Sequence, residues 1–340
     1  VRETDATTAG PLLPLVDRFG RSHTSVRLSV TDRCNIRCFY CMPEVDAEFV
    51  PRDRLLTFEE LYRLAKLLVS RAGVRDVRLT GGEPLVRRQL DKLIEMLAGI
   101  EGLTDLSLTT NGILLADQAT ALRSAGLRRL NISLDTLDEQ TFRQISRREG
   151  LHRTLEGIDA AVQAGFESIK LNALAIRGIT EREVIRLIEF ALQRQVQIRF
   201  IEFMPLDSDR AWQRDRVLTG DQLLQMIRDH FGEVHELTRC DPAQPAEDFA
   251  IAGGRVGIIR SVTAPFCESC NRLRITADGN IRNCLFARTE TPLRDLLRAK
   301  ASDDVLLQQF QRCIRDKAAA HGIDGHGFAP PDRPMYAIGG

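Results

Sequence analysis

Six of the eight cysteines in this 340-residue chain fall into two groups. Cys34, Cys38 and Cys41 are spaced C-x3-C-x2-C. Cys267 and Cys270 form a C-x2-C turn, with Cys284 beyond thirteen intervening residues. Thiolates are soft ligands, and three on one loop can hold either zinc or an iron–sulfur cluster. A structural zinc would draw its fourth ligand from elsewhere. A four-iron cluster on three cysteines would keep one iron open to a small molecule. Spacing alone leaves both readings open for each triplet. Cys240 and Cys313 stand apart and read as ordinary thiols. Clustered thiols belong to a reducing compartment, so a cytoplasmic location is expected.

The second set of chemistry-bearing residues is cationic. Arg27, Arg78, Lys170 and Arg199 lie on stretches where polar and apolar residues alternate. Alternation places them on one face of a strand. With Ser29, Thr31, Thr80, Ser107, Thr109, Asn131, Ser133, Asp135 and Asn172 they make that face polar. The opposite face is apolar, with Val26, Leu28, Val77, Leu79, Leu106, Leu108, Leu130, Ile132, Ile198 and Phe200. Strands buried on both faces would read as unbroken apolar runs, and an ordinary barrel lumen is filled by branched apolar side chains. Here a polar, cationic lumen is expected. Buried cations are costly without partners. They require either pairing with Asp135 and Glu202 or an anionic ligand of high charge, such as a triphosphate. Arg272 and Arg274 share one face of a later strand, directly after the second cysteine turn.

The elements that must position these residues alternate regularly. Strands are expected at 26–31, 75–80, 104–110, 128–134, 168–174 and 196–203. Helices are expected at 57–72, from Gly81-Gly82-Glu83-Pro84 to about 97, up to 124, at 138–147, 151–164 and 180–194. Thr57 with Glu60 three residues on is a capping-box signal. Six β/α units argue for a parallel sheet. After 205 the alternation stops. A helix at 220–230 and short strands at 234–239, 248–252, 255–260, 272–277 and 280–284 follow. The Asp278-Gly279 turn folds Cys284 back toward the cysteine turn. The expected organisation is a lead-in over 1–25, a partial barrel over 26–205, an extension over 206–320, and a flexible tail over 321–340 ending in Gly339-Gly340.

Lysine plus arginine and aspartate plus glutamate both number 47, so no global basic footprint for nucleic acid exists. No apolar run approaches 18 residues, and Val1–Gly10 has no apolar signal core, so neither membrane span nor secretion is expected.

C-x3-C-x-Tyr-Cys after a first strand resembles the cluster motif of radical S-adenosylmethionine (SAM) enzymes. Thr31–Cys34 through Met42-Pro43, Leu79–Leu85, Leu108–Gly112, Asn131–Asp135, Arg199–Met204, Phe266–Arg274 and the closing Gly-Gly together resemble the GTP 3′,8-cyclase family of molybdenum-cofactor biosynthesis. The resemblance implies an α/β fold: an incomplete (β/α)6 TIM-like radical SAM barrel, its opening closed by a C-terminal α+β extension. It implies two 4Fe–4S clusters and SAM as cofactors. Cys34, Cys38 and Cys41 would hold the SAM cluster, and Cys267, Cys270 and Cys284 the second, whose open iron meets guanine. Tyr40, Gly82, Ser133 and Met204 match SAM-contacting positions. Arg27, Arg78, Thr109, Lys170, Arg272 and Arg274 match GTP-contacting positions. Arg272, Arg274, Gly339 and Gly340 match catalytic ones. The implied partners are GTP, an electron donor (a reductant protein or a small molecule) and a downstream cyclic pyranopterin monophosphate synthase, with the enzyme a monomer or homodimer. The implied reaction passes through a ribose C3′ radical that attacks guanine C8. The rival is a radical SAM peptide-modifying enzyme with an auxiliary cluster. Such enzymes usually carry more C-terminal cysteines and would not need a cationic lumen.

Overall fold

The structure is a computed structural model, and it describes residues 11–207, 209, 212–323, 325 and 328–339. Six strands carry the alternation: β1 (Ser25–Ser29), β2 (Asp76–Thr80), β3 (Asp105–Thr110), β4 (Arg129–Ser133), β5 (Ser168–Ala175) and β6 (Gln197–Glu202). They pair in chain order, all parallel. Between them run α1 (Phe58–Ala72), α2 (Leu90–Ala98), α3 (Ala119–Ser124), α4 (Glu139–Ser146), α5 (Leu151–Gln163) and α6 (Val184–Gln193). The expected incomplete (β/α)6 barrel is therefore present.

Local chemistry explains where these elements begin and end. Thr57 Oγ1 accepts from the Glu60 amide and Glu60 returns a bond to the Thr57 amide, so two orphan donors of α1 are satisfied at once. Gly73, in the left-handed region at φ 75°, ends that helix. Leu61, Leu64, Leu68 and Ala72 recur at helical spacing and are buried against the sheet. Val26, Leu28, Val77, Leu79, Leu108, Leu130 and Ile132 form the apolar outer face, all fully buried under the helices.

The extension comprises α7 (Gly220–Phe231), β7 (His235–Glu236), β8 (Glu247–Ile251), β9 (Gly254–Ile259), β10 (Arg272–Ile275), β11 (Asn280–Arg282), β12 (Thr291–Pro292), α8 (Arg294–Arg298), α9 (Asp303–Arg315) and α10 (Met335–Ile338). β9 pairs in parallel with β6, and β10 in parallel with β1. The extension thus adds one parallel strand to each edge of the six. The sheet order is β12-β11-β10-β1-β2-β3-β4-β5-β6-β9-β8-β7. β9 and β10 do not pair, and residues 260–271, which carry Cys267 and Cys270, connect them across the gap. Each free edge then turns back as an antiparallel hairpin.

Glu202, fully buried at the end of β6, fastens the extension to the barrel. It accepts from the Gly220 amide at the start of α7, from the amides of Val262 and Thr263, and from the Thr263 hydroxyl.

Several expectations differ in detail. A 3-10 turn (Pro84–Val86) separates Gly82 from α2, and Gln89 takes a left-handed conformation at φ 61° between them. The strand expected at 234–239 shrinks to two exposed residues, whose ladder to β8 ends with the Leu237 amide donating to the Asp248 carbonyl. The tail expected to be flexible contains α10, with Tyr336, Ala337 and Ile338 buried. Its apolar residues pack against Met42, Cys34 and Cys41, a long-range contact that a terminal glycine pair does not signal. Among the described residues no helix is long and apolar enough to cross a membrane.

Candidate active site

The inward face of the sheet encloses a cavity of about 510 Å³, within the rough 300–1,000 Å³ range of small-molecule sites. Strand register decides what lines it. Arg27 is paired with Arg274 on one side and Arg78 on the other. Neighbouring strands lie about 4.8 Å apart, and paired residues share a face. Three guanidiniums therefore stand in a row across β10, β1 and β2. Thr109, Asn131 and Lys170 form a second row across β3, β4 and β5. Ser133, Asn172 and Arg199 form a third across β4, β5 and β6. All nine face the cavity, together with Arg272, Tyr40 and Met204.

The carboxylates that pairing would have used are committed elsewhere. Asp135 accepts from the Tyr40 hydroxyl at 2.8 Å and from the Leu174 amide. Glu202 holds the extension. Asp105 pairs with Arg129 at 3.3 Å and offsets Arg78, and Asp248 offsets Lys170 and Arg199, but the cations still push one another down. Burial, then the charges of Arg274, Arg78 and Arg272, push Arg27 far below its ordinary value. Burial and neighbouring guanidiniums bring Arg78 down to about 10 and Arg274 to about 9. Burial, then Arg199 and Arg129, bring Lys170 down to about 7. The Nε of Arg129, the Nε of Arg199 and the Nδ2 of Asn131 are buried donors without a hydrogen-bond partner. Such orphans are costly, and all three belong to cavity-lining residues. The chamber is built to receive an anion rich in acceptor oxygens.

Lys170 makes this testable. Its pKa of about 7 lies below its ordinary 10.5, so between these values the unfolded chain holds more protons and ligand-free stability rises with pH. A bound polyanion favours the ammonium and raises the pKa again. Binding of a triphosphate-like polyanion at pH 8 should therefore take up a proton, and affinity should fall as pH rises above about 7. Calorimetry in buffers of different ionisation enthalpy reads the uptake. Equal uptake in Lys170→Met would refute the assignment.

The second thiol triplet opens into the same chamber: Cys267, Cys270 and Cys284 all line it, beside Arg272. Burial alone would raise the Cys270 thiol, but Arg272 and Lys317 outweigh it and hold it at about 6. The first triplet does not line the cavity. It lies in an apolar niche with Met42, Phe49, Tyr336 and Ala337 and meets the chamber through Tyr40. Cys38 is pushed up by burial, then by Cys41 and Cys34, so the three sulfurs feel one another. The loop is pinned to α4, with Arg37 and Phe39 amides donating to the Ser146 and Ile145 carbonyls.

Among the described residues no group of three or more His, Cys, Asp or Glu is placed to hold a single metal ion. A tetrahedral zinc with bonds of about 2.3 Å draws its sulfurs close together. Both sets offer three half-buried thiols, soft donors of the kind that hold an iron–sulfur cluster, and so fit it in kind.

Gly82 also lies outside the cavity lining. Its amide donates to Thr31 O and the Glu83 amide to Arg33 O, so it presses on the backbone entering Cys34. Buried Glu83, brought up to about 7 by burial, accepts from Thr110 Oγ1 and from the Asn111 amide. Asn111 Nδ2 in turn donates to Asn35 Oδ1 at 2.7 Å. The loops after β2 and β3 thus brace the first cysteine loop. At the other end of the chain, Arg274 donates to the carbonyl of Gly339, which lies over Ser29 and Thr80. Gly340 lies outside the described residues.

The lead-in contributes more than its irregular sequence suggests. Asp17 and Arg21 close a small hairpin around Gly20, and Arg21 donates to the carbonyls of Cys267, Ala318 and Ala319. The signal was present as an Asp and an Arg four residues apart flanking a turn glycine. Only the partners, nearly 250 residues or more away, were hidden.

The Radical SAM superfamily signature matches residues 28–191, and that of Molybdenum Cofactor Synthesis C matches residues 196–323. A GTP 3′,8-cyclase of Rhodopirellula baltica is 62% identical over 332 residues, covering 96% of this chain and 92% of its own length. A GTP 3′,8-cyclase of Streptomyces coelicolor is 43% identical over 328 residues, covering 96% of both. In fold, the chain is similar to Streptococcus suis SuiB, with a TM-score of 0.61 at 12% identity, covering 90% of this chain and 69% of that one. It is also similar to native anSMEcpe with bound AdoMet, with a TM-score of 0.58 at 15% identity, covering 84% and 79%.

Proposed function

The chain belongs to the GTP 3′,8-cyclase family of radical SAM enzymes, and on that premise we propose how its residues divide the work. It converts GTP to (8S)-3′,8-cyclo-7,8-dihydroguanosine 5′-triphosphate, the first step of molybdenum cofactor biosynthesis, with two 4Fe–4S clusters and SAM as cofactors. When bound, the first cluster with SAM supplies a 5′-deoxyadenosyl radical, and the second an open iron for the guanine base. Cys34, Cys38 and Cys41 hold the former. Cys267, Cys270 and Cys284 hold the latter. Tyr40, Ser133 and Met204 line the SAM side, and Gly82 keeps its loop close against the cysteine loop. Arg27, Arg78, Thr109, Lys170, Arg272 and Arg274 bind GTP, their charge matching a triphosphate. Arg274 also steadies Gly339, and with Arg272 and the Gly339-Gly340 end it orders the reacting ribose and base. The recess within the sheet limits the access of water and other hydrogen donors to a reactive carbon radical.

The row Arg274–Arg27–Arg78, three guanidiniums that Asp105 offsets only at Arg78 and that share the chamber with the second triplet, carries this reading. A peptide-modifying enzyme would not need that charge. An electron donor, a reductant protein or a small molecule, supplies reducing equivalents in the cytoplasm, and a cyclic pyranopterin monophosphate synthase takes the product.

The test is anaerobic incubation of the cluster-loaded protein with GTP, SAM and a strong reductant. The hydrogen taken from C3′ leaves on 5′-deoxyadenosine; after C3′ closes on C8, one electron from the reductant and one proton replace it, so the nucleotide keeps the elemental composition of GTP. The expected product is a chromatographically distinct isomer of GTP, formed with one 5′-deoxyadenosine. Deoxyadenosine with unchanged GTP would overturn the reading. Arg274→Ala should lower cyclisation about 10–100-fold, the loss of one charge-assisted hydrogen-bond donor, while SAM cleavage falls less. Unchanged cyclisation would remove Arg274 from substrate binding.

A further inference from the structure

Lys317 is a lysine only 3% exposed, just beyond α9. Its Nζ lies 3.0 Å from His23 Nε2, 3.0 Å from the Arg272 carbonyl and 3.3 Å from Cys270 Sγ. An ammonium has three N–H donors and no acceptor. Three acceptors meet it here. His23 can accept at Nε2 because its Nδ1 faces the Leu15 carbonyl at 3.3 Å, which accepts only and so holds the ring proton on that side. The lead-in fixes the ring in turn, with Asp17 and Arg21 closing the hairpin around it. None of the three acceptors is a carboxylate. One of them is the sulfur of Cys270, a proposed cluster ligand. A buried cation is costly, and a fully satisfied one aimed at such a sulfur has a purpose beyond packing.

We propose that Lys317 is a positioning residue for the second cluster: its N–H···S bond orients Cys270 and draws charge from that ligand, raising the cluster's reduction potential. This rests on the reading that Cys267, Cys270 and Cys284 hold a 4Fe–4S cluster. Hydrogen bonds to cluster sulfurs and nearby positive charge favour the reduced, more negative state. Lys317 lines no part of the GTP chamber, so it acts through Cys270 and not on substrate. His23 and the Arg272 carbonyl hold the ammonium at its post.

The experiment uses the full chain with Cys34, Cys38 and Cys41 replaced by alanine, so that only the second cluster is read. Iron and sulfide content and an EPR-monitored redox titration are measured. In this background Lys317→Met should keep its iron yet become about tenfold harder to reduce, a fall of about 59 mV for one electron. Lys317→Arg, which retains charge and donors, should restore most of that shift. His23→Gln, which only loosens the ammonium, should give a smaller fall in the same direction. An iron-replete Lys317→Met at the parent potential would overturn the proposal. So would equal cluster loss in Lys317→Met and Lys317→Arg with the His23→Gln potential unchanged, which marks a packing role alone. A parent that holds no iron would instead remove the second-cluster reading, and the inference with it.

Discussion

Gly82→Ala should cut 5′-deoxyadenosine formation at least about a hundredfold, the scale of a 1 Å misplacement of reacting groups. A Cβ at this position would stand 2.4 Å from the Arg33 carbonyl oxygen and 2.7 Å from both the Arg33 carbonyl carbon and the Asp32 oxygen. These atoms are backbone, so no side chain can turn aside. Two hydrogen bonds lock the segments together, from Gly82 N to Thr31 O and from Glu83 N to Arg33 O. Relief must come from moving residues 32 and 33, and the next residue is Cys34. Displacing that sulfur spoils the first triplet. The overpacking itself costs about 1–3 kcal/mol, so a folded protein with impaired SAM cleavage is expected. Chromatographic assay of deoxyadenosine beside a melting curve checks both halves. Parental deoxyadenosine production would show that the two loops can part without consequence.

Glu202→Ala should lower unfolding free energy by about 3–5 kcal/mol, since each buried donor left unsatisfied costs about 1–3 kcal/mol. Three amides and one hydroxyl would lose their acceptor, at 2.8, 2.8, 2.8 and 2.6 Å. That is a large share of a typical net stability of about 5–15 kcal/mol. These bonds tie β6 to the start of α7 and to residues 262–263, which lead into the second cysteine turn. Denaturant unfolding should show a lowered midpoint, and iron analysis an early loss from the second site. A midpoint within about 0.5 kcal/mol of the parent, the range of ordinary surface substitutions, would mean that water replaces the carboxylate.

The repeating part of the fold was open to reading because its signal is local. Alternation with period two in β1 to β6, helical spacing in α1 and the Thr57–Glu60 capping pair each span a few residues. The polar face was legible for the same reason, down to Arg27, Arg78 and Lys170. What lay beyond reach was every decision involving distant segments. Nothing near Arg272 says that β10 docks in parallel on β1 and sets Arg274 beside Arg27. Nothing in the lead-in says that Arg21 caps the Cys267 turn. α9 and α10 went unread because their value lies in the surfaces they cover, and the buried tail around Tyr336 was expected to be loose.

The sequence by itself determined the inventory: two thiol triplets, a row of cations on alternating positions, the β/α succession and the turns that separate it. These follow from side-chain chemistry and backbone periodicity over short spans. The tertiary structure alone decided that the second triplet shares a chamber with the cations, that the first stands behind Tyr40, and that Asp135 and Glu202 bond elsewhere while Asp105 and Asp248 offset the cations only in part. Those outcomes depend on register between strands far apart in the chain. Register is settled by burying one face of the whole sheet at once, which no single stretch of sequence encodes.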